Sequence, residues 1–283
     1  NARVLRDGPF RRLFVQPAAG DSGASLGAAA LAWSRRTSRS LEGMPLREVF
    51  LGPSYDSTEI AALLRAAGVS AVDHRDHPDA MLDAIVDRLV DGKIVGWFDG
   101  ALEFGPRALG ARSILGDPRV PTMRERINKS VKMREAFRPF APAVLADKVA
   151  AHFDLDHASP FMLETCRVIS PLALPAITHV DASARVQTVA ATATTRFAKL
   201  LRRFDERTGC PILLNTSFNV RGEPMVCSPE DALLCFARSK IDTLMLQDFL
   251  IDRSALPRHW ERELARLPLT PRHGVSHDVY AML

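Results

Sequence analysis

Apolar positions fall in two rhythms along this chain. Met81, Leu82, Ile85, Val86, Leu89 and Val90 recur at three- and four-residue spacing, which places them on one face of a helix. Phe197, Leu200, Leu201 and Phe204 repeat that pattern. A helix is also predicted after Asp56, whose side chain can cap it, with Glu59 three residues on and Gly68 to end it. Ser228 followed by Pro229 opens another, a capping residue with proline at the first helical position. Short continuous apolar runs predict strands at residues 13–15, 49–51, 94–98, 211–214 (ending at Asn215) and 244–251. The first of these leads through a turn at residues 17–25 into a helix of small residues at 26–33, and the polar stretch 35–43 reads as a loop. Strands and helices alternate, so the predicted class is α/β (α+β). The texture of residues 1–36 differs from the rest. They read as the tail of a preceding domain, with 37–56 as connector and 57–283 as a second domain.

Composition narrows the picture. At 283 residues, 47% hydrophobic and 25% charged, the chain resembles an ordinary globular protein, which excludes disorder as the starting view. Lys+Arg (37) and Asp+Glu (33) nearly balance, for a net charge of +4, so this is not a nucleic-acid-binding composition unless the excess is focused. It is focused between Arg107 and Arg138, where an anionic small molecule such as a nucleotide or acyl phosphate fits as well as a polynucleotide. The cysteines Cys166, Cys210, Cys227 and Cys235 form no CxxC pair, which points to buried free thiols and a reducing cytoplasm. No apolar run reaches the ~18 residues that span a bilayer, and no signal peptide is evident. The chain begins at Asn1 without Met and is expected to be a piece of something longer.

Four segments carry candidate chemistry. Residues 103–115 (EFGPRALGARSIL) set Gly105, Pro106 and Gly110 around Arg107, and a guanidinium on a rigid turn makes a good anion fork. Residues 126–138 hold five cations and run into Pro139 and Phe140; Arg138, between apolar neighbours, would be expensive there unless paired, which favours a phosphate or carboxylate ligand. Residues 213–224 run a buried strand into Asn215, Thr216, Ser217 and Asn219, at the kind of strand end where α/β proteins bind ligands. Residues 178–188 alternate His179 and Asp181, then Arg185 and Gln187, on an extended segment, with Arg185 the better ligand contact. A structural turn or a solvated basic face accounts for each of these segments alone. The cluster His74-Arg75-Asp76-His77 has metal-like spacing but sits in a loop of mixed charge, and no metal is expected there.

Together, EFGPRALGARSIL (103–115), INKSVKMREAFRPFAPAV (127–144), HVDASARVQTV (179–189) and ILLNTSFNVRGEPMV (212–226) resemble the C-terminal half of the ATP-dependent O-carbamoyltransferases of the NodU/CmcH type, over most of residues 94–252. The resemblance implies an actin-like domain, of which residues 1–36 are the tail, followed by a YrdC-like domain with a mixed twisted sheet flanked by helices. It implies that the YrdC-like domain makes carbamoyl adenylate from ATP and carbamoyl phosphate, with Mg²⁺. The actin-like domain, carrying a divalent metal such as Fe²⁺, then passes the carbamoyl group to a hydroxyl of a small molecule, a natural product or sugar. Carried over residue by residue, Lys132, Arg138 and Arg107 match catalytic positions. Arg185, Ser217, Asn219 and Asn215 match the nucleotide and carbamoyl-phosphate site. Asp21 matches a metal ligand whose histidine partners would lie upstream of Asn1. Two other readings stay open: a threonylcarbamoyl-adenylate synthase of tRNA modification, against which EFGPRALG argues, and a non-catalytic RNA-binding module, against which the charge balance argues.

Overall fold

A computed structural model describes residues 1–40 and 48–260. Two helices come first, α1 (Ala2–Asp7) and α2 (Asp21–Thr37). They are followed by α3 (Ser57–Ala66), β1 (Val72–Asp73), α4 (Pro78–Val90), β2 (Val95–Phe98), β3 (Arg112–Gly116), α5 (Met123–Ile127), β4 (Ala141–Leu145) and α6 (Val149–His152). The chain continues with β5 (Cys166–Arg167), β6 (Ser183–Ala184), β7 (Gln187–Val189), α7 (Arg196–Thr208), β8 (Ile212–Ser217), α8 (Pro229–Arg238), β9 (Thr243–Leu246) and β10 (Phe249–Asp252).

Eight strands form one sheet in the order β1-β10-β9-β2-β3-β8-β4-β7, and β5 pairs with β6 apart from it. The β2–β9 and β4–β7 pairs are parallel and the rest antiparallel, so the fold is mixed α/β. Strands β2, β3, β4, β7 and β9 are buried along their whole length. For that reason β2 and β9 read as apolar runs, whereas β3, β4 and β7 are not among the predicted runs, and β3 and β7 carry the buried polar residues Arg112, Ser113, Gln187 and Thr188. Helices α4 and α7 pack on each other and against β2, β4 and β8, while α3 and α8 pack together over β2 and β9. The apolar stripe of α4 buries Met81, Leu82, Ile85, Val86 and Leu89. That of α7 buries Phe197, Leu200, Leu201 and Phe204. Asp56 closes a capping box with Glu59 at the start of α3, and Ser228 with Asp231 at the start of α8.

Several sequence expectations are corrected. Residues 13–15 form no strand: three apolar residues are too few to hold a ladder, and Phe14 stays exposed. Helix α2 begins at Asp21 rather than at residue 26 and runs to Thr37, because Gly20 takes a positive φ of 144° that lets the helix start early, with Asp21 in its first turn. It therefore includes residues 35–37 of the expected loop, and residues 41–43 lie outside the described residues. Residues 49–51 form no strand: Leu51 N–H donates to Val49 O at 3.0 Å in a tight turn, and the stretch is tied to one short segment, with Phe104 N–H donating to Val49 O at 2.6 Å and Gly52 N–H to Leu102 O at 3.0 Å. Residues 244–251 are two antiparallel strands, since Gln247 turns the chain with φ 51°. Strand β8 continues past Asn215 to Ser217 by pairing with β3. Residues 180–182 form a turn, with Asp181 accepting from Ser183, so His179 and Asp181 do not alternate along a strand. The four cysteines are free thiols, Cys210 and Cys235 buried and Cys166 and Cys227 partly so. No helix among the described residues is long and apolar enough to cross a membrane. Residues 261–283 lie outside the described residues.

Candidate functional site

The segment between β2 and β3 doubles back in a tight turn that carries Arg107. Gly105 (φ 122°) and Gly110 (φ 108°) hold conformations that side chains rarely adopt. A Cβ on Gly110 would lie 2.4 Å from the ring of Phe197, which itself meets Trp97 edge-on. The Trp97 indole N–H donates to Gly110 O at 2.9 Å, so the turn is seated directly on the core. Arg112, at the end of the turn, is fully buried; it donates to the carbonyls of Asp99, Gly100, Ala111 and Pro53 and lies 3.5 Å from the centre of the Phe98 ring. It serves the core.

The basic segment is not a continuous solvated helix. Helix α5 gives way to a π-helical turn at Asn128–Lys132, which ends at Met133 with φ 46°. Widening the turn brings Lys132 inward, where only 6% of it is exposed. Its Nζ donates to Ser217 O (2.5 Å), Ser217 Oγ (3.1 Å), Asn219 O (3.2 Å) and Asn219 Oδ1 (2.6 Å). No carboxylate is among those partners. Burial, with Arg134 adding repulsion, pushes the amine down to about 7 against the weaker opposing pull of Cys235. Ser217 Oγ in turn donates to Asn219 Oδ1 at 2.9 Å.

Arg138 corrects the expectation of a buried charge. Phe137 is 73% exposed, and Arg138 stands half-exposed with Glu135 no nearer than 4.0 Å. The chain turns inward only at Pro139 and Phe140, so Arg138 marks the mouth of a cleft rather than its floor.

That cleft, of about 420 Å³, is where the segments meet. Arg107, Arg134, Arg138 and Arg185 line it together with Asn215 and Ser217. Lys132 and Asn219 stand directly behind Ser217. Arg185 Nε is buried with no partner, and burial, then the charge of Arg107, draws this guanidinium down to about 10. Arg134 is lowered by burial and then by Arg138; its Nε donates to Asn128 Oδ1 at 2.7 Å and its guanidinium lies 4.9 Å from the centre of the Phe140 ring. Four guanidiniums share one cleft whose lining includes no carboxylate, an arrangement whose self-repulsion an anion relieves.

Seven of the eight residues expected from the sequence are thus brought together, and Asp21 is not. It is exposed in the first turn of α2, outside the cleft lining, and no group of three or more His, Cys, Asp or Glu suited to a metal occurs among the described residues. Arg134, Thr165, Thr216 and His179 also line the cleft; the sequence named Thr216 and His179 within their segments but gave none of the four a site role. Arg134 lay in the basic run already singled out. Thr165 had no signal at all. His179 is lowered by burial, which favours its neutral form.

Residues 86–253 match the family model described as carbamoyltransferase C-terminus. The chain belongs to that family. An uncharacterized protein of Synechocystis is 43% identical over 295 residues, covering 93% of this chain and 48% of that protein. The nodulation protein NolNO of Sinorhizobium fredii is 41% identical, over 95% of this chain and 40% of that protein. The 3'-hydroxymethylcephem-O-carbamoyltransferase of Streptomyces clavuligerus is 32% identical, over 88% of this chain and 45% of that enzyme. The carbamoyltransferase C-terminal chain therefore spans about half the length of these relatives. Among solved structures, full-length HypF in its phosphate- and nucleotide-bound form aligns with TM-score 0.41 and 17% identity, over 66% of this chain and 23% of that one, a likeness too slight to bear on the site.

Proposed function

We propose that this chain is the part of an O-carbamoyltransferase that forms carbamoyl adenylate from ATP and carbamoyl phosphate. The observation that carries the reading is the cleft itself: four guanidiniums and the inward Lys132 converge without a carboxylate, in a chain of the carbamoyltransferase C-terminus family. ATP and carbamoyl phosphate are both polyanions whose reacting groups repel, and such a cleft brings them together. Water releases phosphate from carbamoyl phosphate, leaving carbamate. A carbamate oxygen then attacks the α-phosphorus of ATP and pyrophosphate leaves. Arg107, Arg138 and Arg185 neutralise the phosphates, Lys132 adds its charge from behind Ser217 and holds Ser217 and Asn219 in place, and those two orient the carbamoyl or phosphate oxygens.

Magnesium would enter on the phosphates of ATP, because the cleft lining offers it no carboxylate. Asp21 would serve the second metal only with ligands from the upstream half of the protein, and no step is assigned to it. The acceptor is a hydroxyl-bearing small molecule, a natural product or sugar. It would be engaged by that upstream half, of which residues 1–36 form the tail, 37–56 the connector, and 57–283 the adenylating domain. On this reading the enzyme works in the cytoplasm, where both donors are made.

Pyrophosphate release from ATP tests the reading. It should depend on carbamoyl phosphate, and threonine with bicarbonate should not replace it. Ser217→Ala, which removes one neutral hydrogen bond to the Lys132 amine, should lower the rate roughly tenfold. Release that ignores carbamoyl phosphate, or a Ser217→Ala protein as fast as the parent, rules the assignment out.

A further inference from the structure

Arg107 reaches the cleft from a turn whose backbone is tied down along both polar edges. Glu103 is 3% exposed, and its Oε1 accepts from the N–H groups of Leu109 (2.7 Å), Ala111 (2.7 Å) and Arg112 (3.2 Å). The carbonyls of the same turn are held by two amides. Ala108 O accepts from Asn215 Nδ2 at 3.2 Å, and Leu109 O accepts from Gln187 Nε2 at 2.8 Å. Gln187 and Asn215 are themselves joined, with Asn215 Nδ2 donating to Gln187 Oε1 at 2.8 Å. Both amides are buried.

This arrangement admits one orientation of each amide. A backbone carbonyl only accepts, so Gln187 must turn its NH₂ to Leu109 and its oxygen to Asn215. Asn215 must then turn its NH₂ to Gln187 and Ala108 together. Both N–H groups of Asn215 are committed to protein, which leaves none to donate to a phosphate. Across the turn from the cleft, Leu109, Gly110 and Gln187 also line a second, mostly apolar cavity of about 540 Å³. Packing on the core seats Gly110, and these hydrogen bonds fix the backbone on either side of it.

We propose that Glu103 and Gln187 are positioning residues of the anion site, which with Asn215 cage the 103–112 turn so that Arg107 stands beside Arg185 before any anion arrives. Arg107 is exposed, two guanidiniums lining one cleft repel, and a loose turn would let Arg107 move away from Arg185. The cage makes that escape costly, so the donors are aimed in advance and binding does not spend its energy ordering a loop. Asn215 acts on the turn through both its N–H groups, and only its Oδ1, buried without a partner, is left to meet a ligand. This inference rests on the anion-site reading given above.

Binding, rather than turnover, separates a positioning role from a general structural one. ATP and inorganic phosphate are titrated calorimetrically into the full chain, into Gln187→Leu, into Arg107→Ala and into the double variant. Gln187→Leu should weaken ATP by on the order of tenfold, the size of one lost hydrogen bond. On the Arg107→Ala background the same change should have less than about a twofold effect, because the residue it positions is gone. Gln187→Glu, of equal size, sets a carboxylate oxygen against Leu109 O and gives the same expectation should the leucine variant fail to fold. Glu103→Gln, which keeps an oxygen for the three N–H groups, should bind ATP more tightly than Glu103→Ala. Equal weakening on both backgrounds, or an unchanged affinity in the Gln187 variants, overturns the positioning role while leaving the site. A parent protein that binds neither ATP nor phosphate overturns the site and this inference with it.

Discussion

Lys132→Ala is expected to lower carbamoyl-phosphate-dependent pyrophosphate release by about 10²-fold, through loss of a preorganised charge and of the bonds that hold Ser217 and Asn219. The four oxygens around Nζ come from Ser217 and Asn219, so the lysine also ties β8 to the loop beyond it, and its loss should loosen the wall of the cleft that faces the phosphates. The pH dependence follows from burial. An unfolded lysine titrates near about 10.4, whereas this amine is lowered to about 7. Between those values the unfolded chain binds more protons than the folded one. The contribution of Lys132 to stability therefore rises with pH from about 7 upward and is least below that point. Anion affinity runs the other way. A bound phosphate favours the ammonium, so affinity should fall as pH climbs past about 7 and binding should take up a proton. Calorimetry in buffers of different ionisation enthalpy reads that proton directly. An affinity flat across neutral pH, or a Lys132→Ala enzyme within tenfold of the parent, would sink the assignment.

Gly110→Ala should be strongly damaging to the fold. At φ 108° any side chain is strained, and the new Cβ would sit 2.4 Å from a Phe197 ring carbon that is buried against Trp97. Overpacking and backbone strain together should cost about 3 kcal/mol or more. For a chain of this size that corresponds to a fall in Tm of about 6–12 °C. Thermal unfolding followed by circular dichroism checks it, and a Tm within about 2 °C of the parent would show that the ring has room to move. The contrast with Gly68 is instructive: it too has positive φ (64°), but a Cβ there meets nothing within 4 Å, so only strain should register.

The sequence announced its helices through devices that act locally. Asp56 with Glu59 and Ser228 with Pro229 set where α3 and α8 begin, and the stripes of α4 and α7 state which face is buried. Strands were legible where burial on both faces made the run unbroken, as in β2 and the first half of β8. They were misread where apolar residues are buried without a ladder, as at Val49, or where two polar residues conceal a reversal, as at Gln247 and Asp248. The site was legible as chemistry, since arginines on glycine turns and short polar side chains at a strand end announce an anion. Its geometry was not. A continued α-helix through residues 128–132 would have carried Lys132 to another face, and only the π-helical turn turns it inward. The role of Gln187, named in its segment, was hidden for a related reason. Its partner is a backbone carbonyl 78 residues away, and no side-chain pattern records a bond of that kind.

The lowered amine has one further consequence. Carbamoyl phosphate decays in water to phosphate and cyanate, and cyanate adds to amines only in their neutral form. An ordinary lysine is neutral about once in 10³ at neutral pH, while Lys132, lowered to about 7, is neutral a large part of the time. On the proposed reaction, the donor therefore breeds a slow poison aimed at the lysine that handles it. Burial behind Ser217 slows the attack, and nucleotide in the cleft would slow it further by drawing the lysine back to the ammonium. Freshness of the donor and the presence of ATP then become conditions of the enzyme's own survival.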